Sequence, residues 1–89
     1  MAVYVDDSKI KWNGMIMCHL IADDIVELHS LAISIGLEVN WFQNKKYPHY
    51  DISLEKKKMA IKKGAIEIAK KDAIKMLNGQ QFNIQLNLF

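Results

Sequence analysis

Short apolar runs alternate with polar breaks along this 89-residue chain, and the period of each run predicts an element. Residues 2–6 are an apolar run closed by Asp6 and Asp7 and read as a buried strand. Residues 7–14 are polar and end in Asn13-Gly14, so they read as a loop or turn. Met15 to Ala22 is a continuous apolar run broken only by His19, read as a strand or extended segment leading into a helix. Asp24 stands three residues before Glu27, a capping-box spacing, and Ile25, Leu28, Leu31, Ala32 and Ile35 recur on one helical face. Gly36 is the expected stop. Leu37 to Phe42 reads as another strand and 43–48 as a loop. Ser53 caps a lysine-rich helix over 54–63, Gly64 ends it, Ala65 to Ile68 is a strand, and 69–77 is a further amphipathic helix. In the last ten residues Phe82, Ile84, Leu86 and Leu88 alternate with Asn83, Gln85 and Asn87, the pattern of a half-buried strand. The whole, 1–89, is expected to be a single small α/β domain: a mixed sheet with about four strands, and three helices.

Composition narrows the class. A hydrophobic fraction of 51% and a charged fraction of 25% are those of a globular chain. No apolar run reaches the roughly 18 residues of a membrane span, and Met1 to Val5 lacks a basic leader, so a cytoplasmic protein is expected. The one cysteine, Cys18, lies in an apolar run and reads as a buried, inert thiol. A net charge of +2 is too small to argue for nucleic acid, which is not expected as a partner. All twelve basic residues are lysine, so a bound phosphate would be held by lysine, backbone N–H groups or a helix N-terminus.

Candidate chemistry gathers at the borders of the apolar runs. In an extended segment after Pro48, His49 and Asp51 point to one side and Tyr50 to the other. A histidine and a carboxylate on one side suit an acid–base pair, two metal ligands, or groups that fix a ribose or base. The bland alternative is a loop whose Asp51 braces the backbone before Ser53. His19 reads either as a satisfied core histidine or as a partner of His49 and Asp6; Asp23, four residues on, shares its face only if the segment is helical. His29 reads as a surface residue. Asp6 is taken as a site residue and Asp7 as turn chemistry. Trp12, Trp41, Phe42, Tyr47 and Tyr50 suit stacking of a nucleobase, and Lys57 or Lys58 near the Ser53 helix start suits a phosphate. No zinc spacing such as HExxH or CxxC is present.

The motifs Ala2-Val3-Tyr4-Val5-Asp6-Asp7, Met17-Cys18-His19-Leu20-Ile21-Ala22-Asp23, Glu27-Leu28-His29, Ile35-Gly36, Trp41-Phe42-Gln43, His49-Tyr50-Asp51-Ile52-Ser53 and Gly64-Ala65 occur in this order. In them the chain resembles the bacterial and phage family known as domain of unknown function 4031. The resemblance covers residues 2–68, implies a compact α/β domain with no assigned activity, and leaves the segment after residue 69 outside the pattern. A phage setting is suggested by the short length and the Lys, Asn and Ile bias.

The first expectation is a non-catalytic binding protein for a small nucleotide-like ligand, such as a cyclic nucleotide or an ADP-ribose-derived signal, sequestered in the host cytoplasm as an anti-defence device. Its site would be drawn from Asp6, Trp12, His19, Asp23, Trp41, Phe42, His49, Tyr50, Asp51 and Lys57. The alternative is a small metal-assisted hydrolase or phosphoesterase acting on a nucleotide through His49, His19 and Asp51. A protein–protein interaction module is the third reading. No cofactor is called for by any motif, and a divalent metal stays open. The strand over 80–89 suits a homo-oligomer interface.

Overall fold

Residue parity along one eight-residue strand sets the architecture. In the computed structural model, which describes residues 2–44 and 48–76, the run Met15–Ala22 is a single strand, β3. The other strands are β1 (Val3–Asp6), β2 (Ile10–Trp12), β4 (Tyr50–Ser53) and β5 (Ile66–Ile68). Both β1 and β2 pair antiparallel with one edge of β3, end to end, and β4 pairs antiparallel with its other edge. The remaining strand, β5, lies parallel to β1 on its outer side. Among the described residues the sheet is therefore mixed and five-stranded, one strand more than expected.

Alternation sends Cys18, Leu20 and Ala22 to one face of this sheet. There they meet Val5, Tyr50 and Ile52 from neighbouring strands, and the helices α1 (Ile25–Ser34) and α2 (Leu54–Lys62). Each helix starts as its sequence predicts. Asp24 accepts from the Glu27 N–H at 2.9 Å, and Ser53 from the Lys56 N–H at 3.2 Å. Ile25, Leu28, Ala32 and Ile35 are buried, with Leu31 packed against them. At the end of α1 the ammonium of Lys56 donates to the Ile35 carbonyl at 2.7 Å, occupying an acceptor that the helix leaves open.

Among the described residues, the opposite face is covered only in part. A third helical stretch, α3 (70–76), places Ala73 over Ile21, Tyr4 and Ile68. The Lys70 N–H donates to Asp7 Oδ1 at 2.8 Å, which fixes where this helix begins.

Two expectations are corrected. Within the stretch expected to be loop, residues 10–12 pair with β3 as β2, and Asn13 (φ 49°) and Gly14 (φ 77°) form the reversal. Both residues have the positive φ that a two-residue hairpin turn needs. The strand expected over Leu37 to Phe42 is instead a 3-10 turn, Val39–Trp41, closed by local bonds from Trp41 N–H to Glu38 O and Phe42 N–H to Val39 O. The strand expected over 80–89 and the aromatic candidate Tyr47 lie outside the described residues. Among those described, no helix is long and apolar enough to cross a membrane.

Candidate functional site

The odd-numbered residues of β3 face away from α1 and α2, and His19 is one of them. The register sets Asp51 of β4 directly beside His19. One step beyond the pairing of Val5 with Leu20, Asp6 lies on its other side. Asp51, His19 and Asp6 thus form a row across three adjacent strands. His49 stands two residues before Asp51 and so shares its face. Its backbone is held by an antiparallel bridge to Gln43, with N–H to O distances of 2.9 and 3.2 Å.

The side chains interlock. Asp6, 1% exposed, accepts from the His19 backbone N–H through Oδ1 at 2.9 Å, and its Oδ2 lies 2.7 Å from His19 Nδ1. The Ser8 hydroxyl donates to the same Oδ2 at 2.9 Å, and the Ser8 N–H reaches Oδ1 at 3.3 Å. Burial works against the Asp6 charge, but the bonds from His19 and Ser8 outweigh it and hold its pKa down at about 2. The bond to Asp6 raises the pKa of His19 against the opposing pull of burial.

An ionised Asp6 fixes the tautomer of a neutral His19: the proton sits on Nδ1, and the lone pair of Nε2 faces outward. That Nε2 is 3.8 Å from Asp51 Oδ1, and His49 Nε2 is 3.3 Å from the same oxygen. The two imidazoles meet edge to face at 5.0 Å. Gln43 Nε2 donates to Asp51 Oδ2, which turns Oδ1 toward the histidines.

One ligand atom from each of His19, His49 and Asp51 therefore converges, all within 4.8 Å of one another. A tetrahedral ion with ligands at about 2.0–2.1 Å holds them about 3.4 Å apart, so the observed spacing needs only small side-chain adjustments. Two imidazoles and one carboxylate leave a fourth position open, as in catalytic rather than structural zinc sites. Asp6 on His19 Nδ1 supplies the carboxylate–histidine support that such ligands use.

The other predicted residues lie elsewhere. Asp23 accepts from the Ala2 N–H at 2.8 Å and sits 3.5 Å from the Tyr4 hydroxyl, which ties down the start of β1. Tyr50 is fully buried on the opposite face, its hydroxyl 2.6 Å from His29 Nδ1. Phe42 packs on both rings, so His29 is half-buried in an aromatic cluster rather than a surface residue. Lys57 pairs with Glu67 Oε2 at 2.7 Å on the α2 side of the sheet. Trp41 is exposed in the 3-10 turn. Trp12 is exposed at the end of β2 and, paired with Met15, shares the face of His19 two rows away. Cys18 is buried among apolar side chains, and burial pushes its thiol up to about 11. A concavity of about 530 Å³ opens beside α1, lined by Glu27, Lys63 and Ile66 among others, and contains none of the clustered ligands.

Sequence reasoning missed Ser8 and Gln43. Ser8 follows Asp6 by two residues, the spacing at which an aspartate binds its own loop. Gln43 stands in the Trp41-Phe42-Gln43 motif, but that motif assigns it no role.

The chain matches the family described as Protein of unknown function (DUF4031) over residues 3–80. It belongs to that family. The match extends past residue 69, so α3 and its anchor on Asp7 fall within the DUF4031 domain, contrary to the narrower span expected from the motifs. No curated protein and no solved structure matches.

Proposed function

We propose that this domain is a small metal-assisted hydrolase, with His19 and His49 holding a zinc-like divalent ion through Nε2 and Asp51 through Oδ1. The observation that carries this reading is the convergence of the three ligand atoms with Asp6 bound to the far nitrogen of His19. An ion in this setting lowers the pKa of a coordinated water from about 16 to about 7 and polarises the bond to be cleaved. Asp6 keeps His19 in the ligating tautomer, and Gln43 keeps Asp51 aimed. For a phosphoester, water oxygen bonds to phosphorus, the bond to the leaving oxygen breaks, and that oxygen departs with a proton from solvent.

The competing reading is capture of a nucleotide-like ligand without turnover, and the experiment separates the two. The protein loaded with Zn²⁺ is incubated with bis(p-nitrophenyl) phosphate and with a nucleotide panel, and products are followed by absorbance and mass spectrometry. Multiple turnover that falls at least about 100-fold in Asp51→Asn, with the fold retained by circular dichroism, is the expected result. Nucleotides bound but returned intact would instead make this a binding protein. Failure of the protein to take up Zn²⁺ would end the metal reading.

A further inference from the structure

Two of the three ligands, His49 and Asp51, flank a residue that points the other way. Tyr50 is fully buried on the α1 side of the sheet, where its hydroxyl is 2.6 Å from His29 Nδ1. The stretch before it alternates in the same sense. Gln43 bridges His49 and donates to Asp51, while Phe42 turns inward, its ring centre 4.6 Å from that of His29 and 5.5 Å from that of Tyr50. Residues 43, 49 and 51 thus build the metal site, and residues 42 and 50 build an aromatic cluster behind it, closed by His29 of α1. Burial lowers the pKa of His29, so its ring is neutral at pH 7. A buried phenol proton needs an acceptor, and the Nδ1 lone pair is the one beside it, so Tyr50 donates to His29.

The ligands are not held alike by the backbone. His19 sits in β3, between β1 and β4. The stretch with His49 and Asp51 runs along the outside of β3, and among the described residues its far edge carries the single bridge to Gln43. Backbone paired on one side opens more readily than backbone inside a sheet. We propose that Tyr50 and His29, with Phe42 packed on both, are positioning residues for the metal centre: their hydrogen bond pegs residues 49–51 to α1 and holds His49 and Asp51 at the spacing that an ion shared with His19 requires. This rests on the metal reading above. A shift of 49–51 moves two ligand atoms together while His19 stays with β3, and metal–ligand distances tolerate only about 0.2 Å.

The test compares three full-length variants, each checked for folding by circular dichroism. Tyr50→Phe loses the hydroxyl and keeps the ring, His29→Leu loses the acceptor, and His29→Asn offers a side-chain oxygen in place of Nδ1. Zinc affinity is measured by calorimetry at pH 7.5, and Co²⁺ in place of zinc reports ligand geometry through its visible spectrum. Tyr50→Phe and His29→Leu should each weaken zinc binding by roughly tenfold, the lower end for groups that support metal ligands, and should shift the Co²⁺ spectrum. The double variant should lose no more than either single one, because both remove the same bond. His29→Asn should restore most of the affinity and the original spectrum. A bond that served folding alone would change urea stability but not the affinity or spectrum of the folded protein. Unchanged affinity and spectrum in folded Tyr50→Phe or folded His29→Leu overturn this inference and leave the metal site standing. Absence of zinc from the unsubstituted protein removes both.

Discussion

Asp6 ties the fold to the chemistry. A carboxylate 1% exposed at the end of a strand is held ionised by His19 and Ser8, and in turn it sets the tautomer of His19. Its pKa of about 2 is below the ordinary 3.8, so its contribution to stability is present above about pH 4 and lost as pH falls toward 2. His19 behaves oppositely: its pKa is raised above 6.5, so its contribution is full below 6.5 and lost as pH rises through the folded value. The metal-free protein is therefore expected to be most stable between about pH 4 and 6.5. Asp6→Asn should cost about 2 kcal/mol there, measured by urea denaturation, and flatten that pH dependence. Calorimetry at neutral pH should also show zinc affinity falling by roughly 10–100-fold, as for other carboxylates behind a ligating histidine. The chemical character of these residues was legible in the sequence, because histidine and aspartate interrupt apolar runs where a core would exclude them. Their convergence was one of two open readings of His19, and nothing local could choose between them. The ligand atoms come from residues 19, 49 and 51, and no local spacing encodes a meeting made by strand register.

Elements defined by strong periodicity or caps were readable: α1 from Asp24 to Gly36, α2 from Ser53, and β3 as one apolar run. Those that depend on a neighbour were not. The segment Ile10–Trp12 has a lysine at its centre and only three residues, and its strand state comes from pairing with Met15 to Met17. Leu37 to Phe42 has strand-forming residues, yet its chain closes on itself at Glu38 and Val39. Strand-end ionisable groups suggested a site at a sheet edge, as in parallel α/β folds. Here most pairings are antiparallel, and the ligands project from a sheet face near one edge: His19 from β3, Asp51 from the outer strand β4 and His49 from the bridge before it. The β2–β3 reversal gives a test at this scale. Gly14 has φ +77° and open space around its Cα, so Gly14→Ala brings backbone strain without a clash. It should lower stability by roughly 1 kcal/mol in urea denaturation. Zinc affinity should stay unchanged, because the ligands lie in β3, β4 and the bridge before β4, beyond the turn.

At the scale of the molecule, a chain this short has little core to spare, and a buried carboxylate with two nearby histidines is a costly use of it. The arrangement makes physical sense if an ion completes it, because ligands gathered in advance bind metal without a large ordering cost. Binding to the native state alone then stabilises the fold, by about 2.7 kcal/mol when free ion is at 100 times its dissociation constant. For a domain of this size that raises Tm by about 10 °C or more. A thermal melt followed by circular dichroism at pH 7.5 should show this rise with Zn²⁺ and its reversal by a chelator. At pH 5 the rise should largely vanish, because His19, with its raised pKa, is protonated and its Nε2 no longer offers a lone pair. His49→Ala should abolish the zinc-dependent rise at pH 7.5; because its ring is 14% exposed and contacts Asp51 and His19, the rise is read against the variant's own metal-free melt. A Tm insensitive to zinc at both pH values would mean that the three side chains serve the fold through their hydrogen bonds alone.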